Sequence, residues 1–330
     1  MSEPTTGMPL VSIIIPTYNY AGYIIEAIES VLQQNYPPDR LQIVVVDDGS
    51  SDNTHQVLQP YIAKNQVLYH YQQNRGKAAA TAEAVKRTTG KYIFNLDADD
   101  YFFKDKISLI TALFESDAEI VHIGNAAAFV IDGKDAGREH FPPEICDRKI
   151  DGTELLRYYY NHATLFGGGS TFAARGDVLR GIHIPDAVDM YIDEFVVLAV
   201  LNKGSGYLLS EPLSVWRGHS ENYTVKSTSK DNKLQRLDNS SKGILDEVIA
   251  GAYPKEISKL YALKHASRHI FFMEQSGKKT MGDIFAFAKF CFIANMYPFK
   301  QLKTYSAFNR LLPVFMIDIL KKILGLRRTG

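Results

Sequence analysis

Apolar and polar positions follow two alternating patterns over the first hundred residues. Short apolar runs rich in β-branched residues end in polar residues, which is typical of buried parallel strands. Between these runs, apolar residues repeat every three or four positions, the spacing of a helix packed on a sheet. Strands are predicted within residues 10–16, 41–54, 66–74 and 91–97, and helices within 21–34, 54–58 and 76–90. This repeated β-α-β order predicts a parallel, doubly wound sheet.

The pattern loosens after residue 104 but stays mixed. Further helices are predicted at 105–115, 153–162 and 189–204, extended segments at 118–131 and 206–219, and a polar loop at 134–152. Residues 167–181 predict a turn, a strand and a short helix. From residue 226 a polar stretch leads into an almost wholly helical pattern. We therefore expect one domain over residues 1–225 and a mostly helical C-terminal region over 226–330.

Composition narrows the classes of protein to which the chain can belong. Thirty-seven basic residues balance thirty-seven acidic ones, so no overall field attracts nucleic acid. Two cysteines supply neither a disulfide framework nor a zinc site. The N-terminus lacks the apolar region of a secretory signal, and the apolar segment 284–297 is too short to span a membrane and contains Lys289. We expect a cytoplasmic protein, with a peripheral position at the inner face of the cell membrane as an alternative.

Residues that could contact a ligand lie at the ends of the four predicted N-terminal strands. They are Pro16, Thr17, Tyr18 and Asn19, then Asp47 and Asp48, then Asn74, Arg75 and Gly76, and finally Asp97, Asp99 and Asp100. Ligands of open parallel sheets bind beyond the carboxyl ends of the strands, so these side chains should face one crevice. Acids in such positions also cap helices or simply face solvent.

The aspartates of this crevice predict a metal. Clustered carboxylates raise each other's pKa unless a cation lies among them. Mg²⁺ or Mn²⁺ with oxygen ligands removes that conflict and commonly binds phosphate as well. The pattern therefore predicts a metal–diphosphate site in which Asp97 and Asp99 hold the ion.

These segments, in this order, resemble family 2 glycosyltransferases of the GT-A fold. The resemblance rests on "VSIIIPTYNYAGYIIEAIESVLQQNYP", "IVVVDDGSSDNT" and "NRGKAAATAEAVKRTTGKYIFNLDADD", and later on "YIDEFVVLAVLNKG" and "SVWRGHSENYT". It covers about residues 10–225, and the C-terminal hundred residues resemble no family that we can name. The resemblance implies an α/β fold, a Rossmann-like mixed sheet flanked by helices, here with a C-terminal helical extension.

The resemblance also assigns roles to residues. Contacts to the nucleotide or its phosphates are implied for Pro16, Thr17, Tyr18, Asn19, Asp47, Asp48, Asn74, Arg75, Lys77, Asp97 and Arg217. The metal ligands implied are Asp97, Asp99 and His219. Arg75 has the alternative role of a structural partner for Asp48 or Asp97, and His219 that of a structural or solvated loop histidine.

A catalytic base is implied at the acidic pair that opens the helix predicted at 189–204. The family has Glu before Asp, whereas this chain has Asp193 before Glu194. This reversal leaves the base open between the two, and the distance to Gly204 favours Asp193. Acids favoured by the helix dipole are the structural alternative. The glycines within 166–171 are expected to let backbone approach the donor sugar or the acceptor.

The last predicted helix, residues 310–328, has one apolar face and flanking basic residues. Such a helix suits an anionic membrane surface, but the same face could pack within the protein or against a second subunit. Both interpretations remain open on the sequence alone.

Taken together, these features predict an inverting, metal-dependent glycosyltransferase. Its donor would be a nucleotide-diphosphate sugar, with UDP favoured, and its acceptor a saccharide or lipid-linked saccharide of a bacterial surface polysaccharide or glycoconjugate. Two alternatives are a non-catalytic nucleotide-sugar-binding scaffold and a sugar-1-phosphate nucleotidyltransferase. The second alternative expects a glycine-rich loop after the first strand, and "PTYNYAGY" does not supply one.

Overall fold

The computed structural model describes residues 7–162, 168–220, 222 and 229–293. The chain divides into two compact units. The first, here called the sheet unit, comprises residues 1–159 and 163–226. The second, the helical unit, comprises residues 160–162 and 227–330.

The described residues contain ten strands and ten α-helices. The strands are β1 Val11–Thr17, β2 Leu41–Asp47, β3 Leu68–Tyr71, β4 Tyr92–Asn95, β5 Tyr101–Phe102, β6 Ile120–Ile131, β7 Lys134–Arg138, β8 Lys149–Ile150, β9 Phe172–Arg175 and β10 Ser205–Gly218. The helices are α1 Ile24–Leu32, α2 Thr54–Ala63, α3 Lys77–Lys86, α4 Lys106–Ser116, α5 Gly152–His162, α6 Gly176–Arg180, α7 Ile192–Leu201, α8 Lys230–Ala250, α9 Lys255–Gln275 and α10 Met281–Ile293.

The ten strands form one mixed sheet, in which eight follow the order β3-β2-β1-β4-β9-β6-β10-β5. Of the other two, β7 pairs with β6 and β8 pairs with β10. The first four are parallel, as the β-α-β pattern predicted. Strand β9 then runs antiparallel to both β4 and β6, and β5 runs antiparallel to β10. A four-residue strand such as β9 carries no sign of its direction in its own sequence, because its partners lie far away along the chain.

The centre of the sheet is buried on both faces. Side chains on opposite faces of the parallel strands, such as Ile13, Ile14, Val45 and Phe94, are at most 1% exposed. Each buried side chain of this size contributes about 1.5–3 kcal/mol to folding. The strands thereby form a rigid frame that fixes the loops at their carboxyl ends.

Two segments differ from the sequence prediction. The loop predicted at 134–152 contains β7 and β8, and β7 pairs with the end of β6. Every residue of β7 is exposed, so no hydrophobic alternation marks it. The Asp132-Gly133 pair is the signal that could have revealed this hairpin, since both residues have positive φ, 47° and 76°. The helix predicted at 189–204 begins with a 3₁₀ turn, Asp186–Tyr191, before α7.

Among the described residues of the helical unit, α8, α9 and α10 follow one another. Ser229 caps the N-terminus of α8, where its side chain accepts a hydrogen bond from the backbone N–H of Asn232 at 3.2 Å. Within the described part of the chain, no helix combines the length and the apolar character needed to cross a bilayer. The amphipathic helix predicted at 310–328 lies outside the described residues.

Candidate active site

The loops that follow β1 and β2 are tied together by side chains. The backbone N–H of Asn19 donates to Ser50 Oγ at 2.8 Å, and Asn19 Oδ1 accepts the N–H of Ser51 at 2.7 Å. Asp47 accepts the N–H of Ser50 and the hydroxyl of Tyr69, both at 2.8 Å. Asn19 and Asp47 therefore shape this edge of the sheet, and their predicted contacts with a nucleotide stay predictions.

Asp48 joins the β2 loop to the loop after β3. Its carboxylate accepts the backbone N–H groups of Arg75 and Gly76 at 2.9 and 2.8 Å, and the side chain of Gln72 at 2.8 Å. Burial raises the pKa of Asp48, and these hydrogen bonds oppose that rise. The guanidinium of Arg75 points elsewhere, to Asp186 at 2.8 Å. Asp48 thus orders the two loops between which the sequence places the nucleoside.

The other predicted nucleotide contacts lie at the same edge. Pro16 and Thr17 end β1 and are buried, whereas Tyr18 is 38% exposed. The backbone of Asn74 lies against Gly49, at whose position a Cβ would come within 2.8 Å of Asn74 N. Tyr18 and Asn74 are the exposed members of this group, so a ligand can reach both.

Three aspartates cluster just beyond β4. Carboxylate oxygens of Asp97, Asp99 and Asp100 all lie within 4.8 Å of one another. Asp100 is buried, and its two oxygens accept the Ser170 hydroxyl at 2.5 Å and the Arg217 N–H at 2.9 Å. Asp100 is therefore committed to holding the loop, which leaves Asp97 and Asp99 as the pair that could bind an ion.

Asp99 is held from the far end of β10. Asp99 Oδ2 accepts the side-chain amide of Asn222 at 2.9 Å and lies 3.2 Å from His219 Nε2. Burial raises the pKa of Asp99, and the negative charge of Asp97 raises it further. A divalent cation would relieve this cost, and carboxylate oxygens are the ligands that Mg²⁺ and Mn²⁺ prefer. The residues present thus fit such an ion.

Lys77 lies between two acids of the site. Its Nζ is 2.9 Å from Asp97 and 3.3 Å from Asp193. Burial alone would lower the pKa of Lys77, but the charges of Asp193 and Asp97 raise it well above its usual value. Sequence reasoning assigned this lysine to phosphate. In the structure its ammonium group instead contacts Asp97, the predicted metal ligand, and Asp193, the predicted base.

The acidic pair Asp193-Glu194 occupies the first turn of α7. The Asp193 carboxylate reaches the aspartate cluster through Lys77, and its side chain remains 25% exposed. Burial raises the pKa of Asp193, and Lys77 opposes that rise. Glu194 is buried, at 9% exposure. Asp193 is therefore linked to Asp97 through Lys77. It also has the access to solvent that a base acting on a bound acceptor requires.

A glycine lets these acids converge. A Cβ at Gly169 would come within 2.8 Å of Asp97 Oδ1, 2.9 Å of Asp193 Oδ1 and 2.9 Å of Asn95 Nδ2. Any other residue would push at least one of these groups aside. The groups that Gly169 approaches are the protein's own side chains. The expected approach of backbone to the donor sugar or the acceptor stays a prediction. Residues 166 and 167 lie outside the described part.

Aromatic rings support the end of β10. The His219 imidazole stacks on Tyr23 with ring centroids 4.3 Å apart. The Arg217 guanidinium lies 5.1 Å from the Tyr23 ring and 5.3 Å from the Tyr101 ring, donates to the Asp99 carbonyl and pairs with Glu26. Arg217 is thereby engaged within the protein, and its predicted contact with the nucleotide stays a prediction.

Several residues of the site were missed by sequence reasoning. They are Tyr23, Lys106, Ser170, Asp189 and Asn222. Asn222 lies in the segment "SVWRGHSENYT", three positions after His219, but was given no role there. Asp189 accepts the N–H of Ala78 at 3.3 Å and lies against Gly76. Nothing in the local pattern marks Tyr23 or Lys106, because their roles depend on partners distant in sequence.

Comparison with known proteins places this geometry in a family. The model of glycosyl transferase family 2 matches residues 12–181. An uncharacterised glycosyltransferase of Mycoplasma genitalium is 29% identical over 229 residues, which are 68% of this chain and 74% of that protein. A putative teichuronic acid biosynthesis glycosyltransferase of Bacillus subtilis, TuaG, is 38% identical over 105 residues. That match covers 31% of this chain and 41% of TuaG.

Among solved structures, residues 1–349 of S. aureus TarS in complex with UDP-GlcNAc superpose with a TM-score of 0.62. The two chains are 20% identical, and the superposition covers 80% of this chain and 73% of the other. The likeness shows a shared fold, so the GT-A architecture predicted from the sequence is confirmed.

Proposed function

Because this chain belongs to glycosyl transferase family 2, we propose that it is an inverting, metal-dependent enzyme. It would move a sugar from a nucleotide-diphosphate sugar to a saccharide hydroxyl. The observation that carries the proposal is the convergence of Asp97 and Asp193 beside Gly169, with a carboxylate oxygen of Asp99 within 4.8 Å of one of Asp97. Acids from two distant parts of the chain meet where an open α/β sheet binds its ligands.

The donor would lie across the ends of β1, β2 and β3. We place the nucleoside against Thr17, Tyr18 and Asp48, because Asp48 is a carboxylate held in place by backbone N–H groups. UDP is the proposed nucleotide, and the similarity to TarS, which was solved with UDP-GlcNAc, supports that choice. The diphosphate would then extend toward Asp97 and Asp99.

A divalent ion, Mn²⁺ or Mg²⁺, would be held by Asp97 and Asp99, with His219 beside Asp99 as the third group. When bound, the ion would offset negative charge on the diphosphate leaving group. The protein prepares this site by keeping Asp99 fixed through Asn222 and by stacking His219 on Tyr23. Such fixed neighbours keep ligands oriented before an ion arrives.

Asp193 is the proposed base. It would accept the proton of the acceptor hydroxyl as that oxygen attacks the anomeric carbon. Lys77, 3.3 Å from Asp193, favours the ionised carboxylate and fixes its orientation. A positioned base of this kind contributes on the order of 10²–10⁴-fold to the rate. Glu194 remains the alternative base.

The proposed acceptor is a sugar of a bacterial surface polysaccharide. Support comes from TuaG, whose name places it in teichuronic acid biosynthesis, and that match covers 41% of TuaG. A protein that adds sugars to a lipid-linked chain would profit from membrane contact. We therefore retain a peripheral membrane position, or a homo-oligomer formed through the C-terminal helices, as part of the proposal.

A turnover assay separates the proposed function from its rivals. The purified chain is incubated with UDP-sugars and GDP-sugars in the presence of Mn²⁺, Mg²⁺ or EDTA, and released nucleotide diphosphate and pyrophosphate are measured. We expect UDP release that requires a divalent ion and rises when saccharide acceptors are added. Pyrophosphate release would indicate a nucleotidyltransferase. Tight binding without turnover on any acceptor tried would favour a scaffold.

A further inference from the structure

Lys106 is a buried lysine to which the mechanism above gives no role. It begins α4 and is fully buried. Its Nζ donates to the Ser170 carbonyl at 2.6 Å and to Ser214 Oγ at 2.8 Å, and lies 4.0 Å from the centre of the Phe102 ring. An ammonium group has three donors, and the two oxygens and the ring face account for them. The amine is therefore fully used inside the protein.

The energetics of this lysine are unusual. Its hydrogen-bond partners are neutral oxygens. Burial lowers its pKa well below the usual value, and the charge of Asp100 opposes that shift. Burying an amine costs free energy that its hydrogen bonds must offset. An apolar side chain of similar length would fill the same space, so the role of the amine lies in its hydrogen-bond partners.

Lys106 binds the backbone carbonyl of Ser170, and the Ser170 hydroxyl contacts the acids. The Ser170 carbonyl accepts Lys106 Nζ and also the Ser214 hydroxyl at 2.7 Å. The Ser170 hydroxyl accepts the backbone N–H of Asp97 at 3.0 Å and donates to Asp100 at 2.5 Å. One residue thus connects the buried amine to the backbone of the proposed metal ligand.

The neighbour of Ser170 makes this connection important for chemistry. Gly169 lies against the carboxylates of Asp97 and Asp193, with no room for a Cβ. A displacement of the Ser170 carbonyl would move Gly169 and change the space between these two carboxylates. Reacting groups misplaced by about 1 Å can lose roughly 10²-fold in rate.

We propose that Lys106 is a positioning residue for sugar transfer. By holding the Ser170 carbonyl, it sets the gap between Asp97 and Asp193 across Gly169. The proposal rests on the proposed function, since it names the residue that arranges that same site. It predicts that activity and stability respond differently to loss of the amine.

The central test is Lys106→Met, which keeps the length of the side chain and removes its donors. We expect kcat to fall by about 10- to 100-fold, with the donor KM changed less than about 3-fold, because the geometry between the acids is disturbed. The melting temperature should change little, because the Ser170 carbonyl keeps the Ser214 hydroxyl as a donor. Lys104→Met is the matched control, since Lys104 is exposed two residues earlier, and it should leave kcat unchanged.

A second readout does not depend on turnover. Hydrogen exchange of the Asp97 amide, which donates to Ser170 Oγ, should be faster in Lys106→Met than in the wild type and unchanged in Lys104→Met. If the wild type transfers no sugar at all, the proposed function fails, yet this exchange measurement still tests the link between Lys106 and the acid loop. Ser170→Ala, which removes that acceptor, should also accelerate the exchange.

Two results would overturn the proposal. One is wild-type kcat together with wild-type exchange at Asp97 in Lys106→Met. The other is a loss of activity that follows a lowered melting temperature, which would make Lys106 merely structural. Should Lys106→Met fail to fold, Ser214→Ala decides, because it removes one acceptor of the amine while the amine stays. Ser214→Ala should lower kcat and accelerate hydrogen exchange of the Asp97 amide, as Lys106→Met does. Wild-type values of both quantities in Ser214→Ala would reject the proposal.

Discussion

The sheet unit and the helical unit each contain a cluster of aspartates, but they balance charge differently. In the sheet unit, burial raises the pKa of Asp99, Asp100 and Asp193. In the helical unit, His269 lies between Asp238 at 2.8 Å and Asp283 at 3.5 Å. The hydrogen bond to Asp238 raises the pKa of His269. Lys77 therefore offsets the electrostatic cost of the sheet-unit acids only in part, since the pKa values of Asp99 and Asp193 stay raised. The acids of the helical unit share a histidine whose pKa is raised.

This difference separates function from stability. Groups with pKa values displaced by burial and like charge are typical of functional sites. A histidine that joins carboxylates from two other helices is typical of a structural contact. Under the proposed function, the same residue types would bind a ligand in one unit, whereas they connect helices in the other.

The largest effect is expected from Asp99→Asn. It removes the buried carboxylate proposed to hold the ion, so UDP binding that requires Mn²⁺ should be abolished. The melting temperature should hold or rise, because a repulsive buried charge is gone. Calorimetric titration with UDP and Mn²⁺, beside thermal unfolding, measures both. Asp39→Asn, an exposed carboxylate, is the control. Unchanged affinity in Asp99→Asn would remove Asp99 from the metal site.

Asp193→Asn should lower the transfer rate by about 10²-fold or more, because the acceptor proton loses its base. Donor affinity should change little, since the base acts on the acceptor. Steady-state kinetics with both substrates separate the two quantities. A crippled Glu194→Gln together with a nearly normal Asp193→Asn would assign the base to Glu194 instead.

Lys77→Met removes the cation shared by Asp97 and Asp193. Breaking a fully buried ion pair costs about 3–5 kcal/mol. Since the Lys77 side chain is 19% exposed, we expect a smaller loss, about 2 kcal/mol of unfolding free energy by denaturant titration. Added Mn²⁺ should recover part of the loss by replacing the missing positive charge. Stability equal to the wild type without metal would mean that Lys77 does not balance these acids.

These two regions also differ in how far the sequence predicted them. The parallel strands and their acids were predictable, because long apolar runs ending in polar residues define β1, β2 and β4. The pairing of Lys77 with Asp193 was not predictable, since these residues are 116 positions apart. The same holds for Lys106, whose amine meets Ser170 only after α4 and the 3₁₀ turn Gly169–Thr171 pack together.

Local pattern likewise failed where the structure is exposed or short. Strand β7 lacks apolar alternation, and β9 is too short to reveal that it runs antiparallel. The His269 contacts were missed because the sequence pattern predicts each of the helices α8, α9 and α10 separately. Which charged residues meet depends on how the three helices pack. Sequence therefore predicted where acids gather along a sheet, and structure was needed to find which cations meet them.

The smallest effect is expected at His269, and its pH dependence has a definite sign. The pKa of His269 is raised in the folded protein, so its stabilisation is fully present below the unfolded value of about 6.5. It is lost as the pH rises through the folded value. Because the imidazole is 37% exposed, the contribution should stay below about 1 kcal/mol.

Denaturant unfolding from pH 5.5 to 8.5 should show His269→Gln less stable than wild type at the acid end. The two should converge at the alkaline end, and exposed His183→Gln should show no such trend. A difference that grows with pH would mean that His269 acts as a neutral ring.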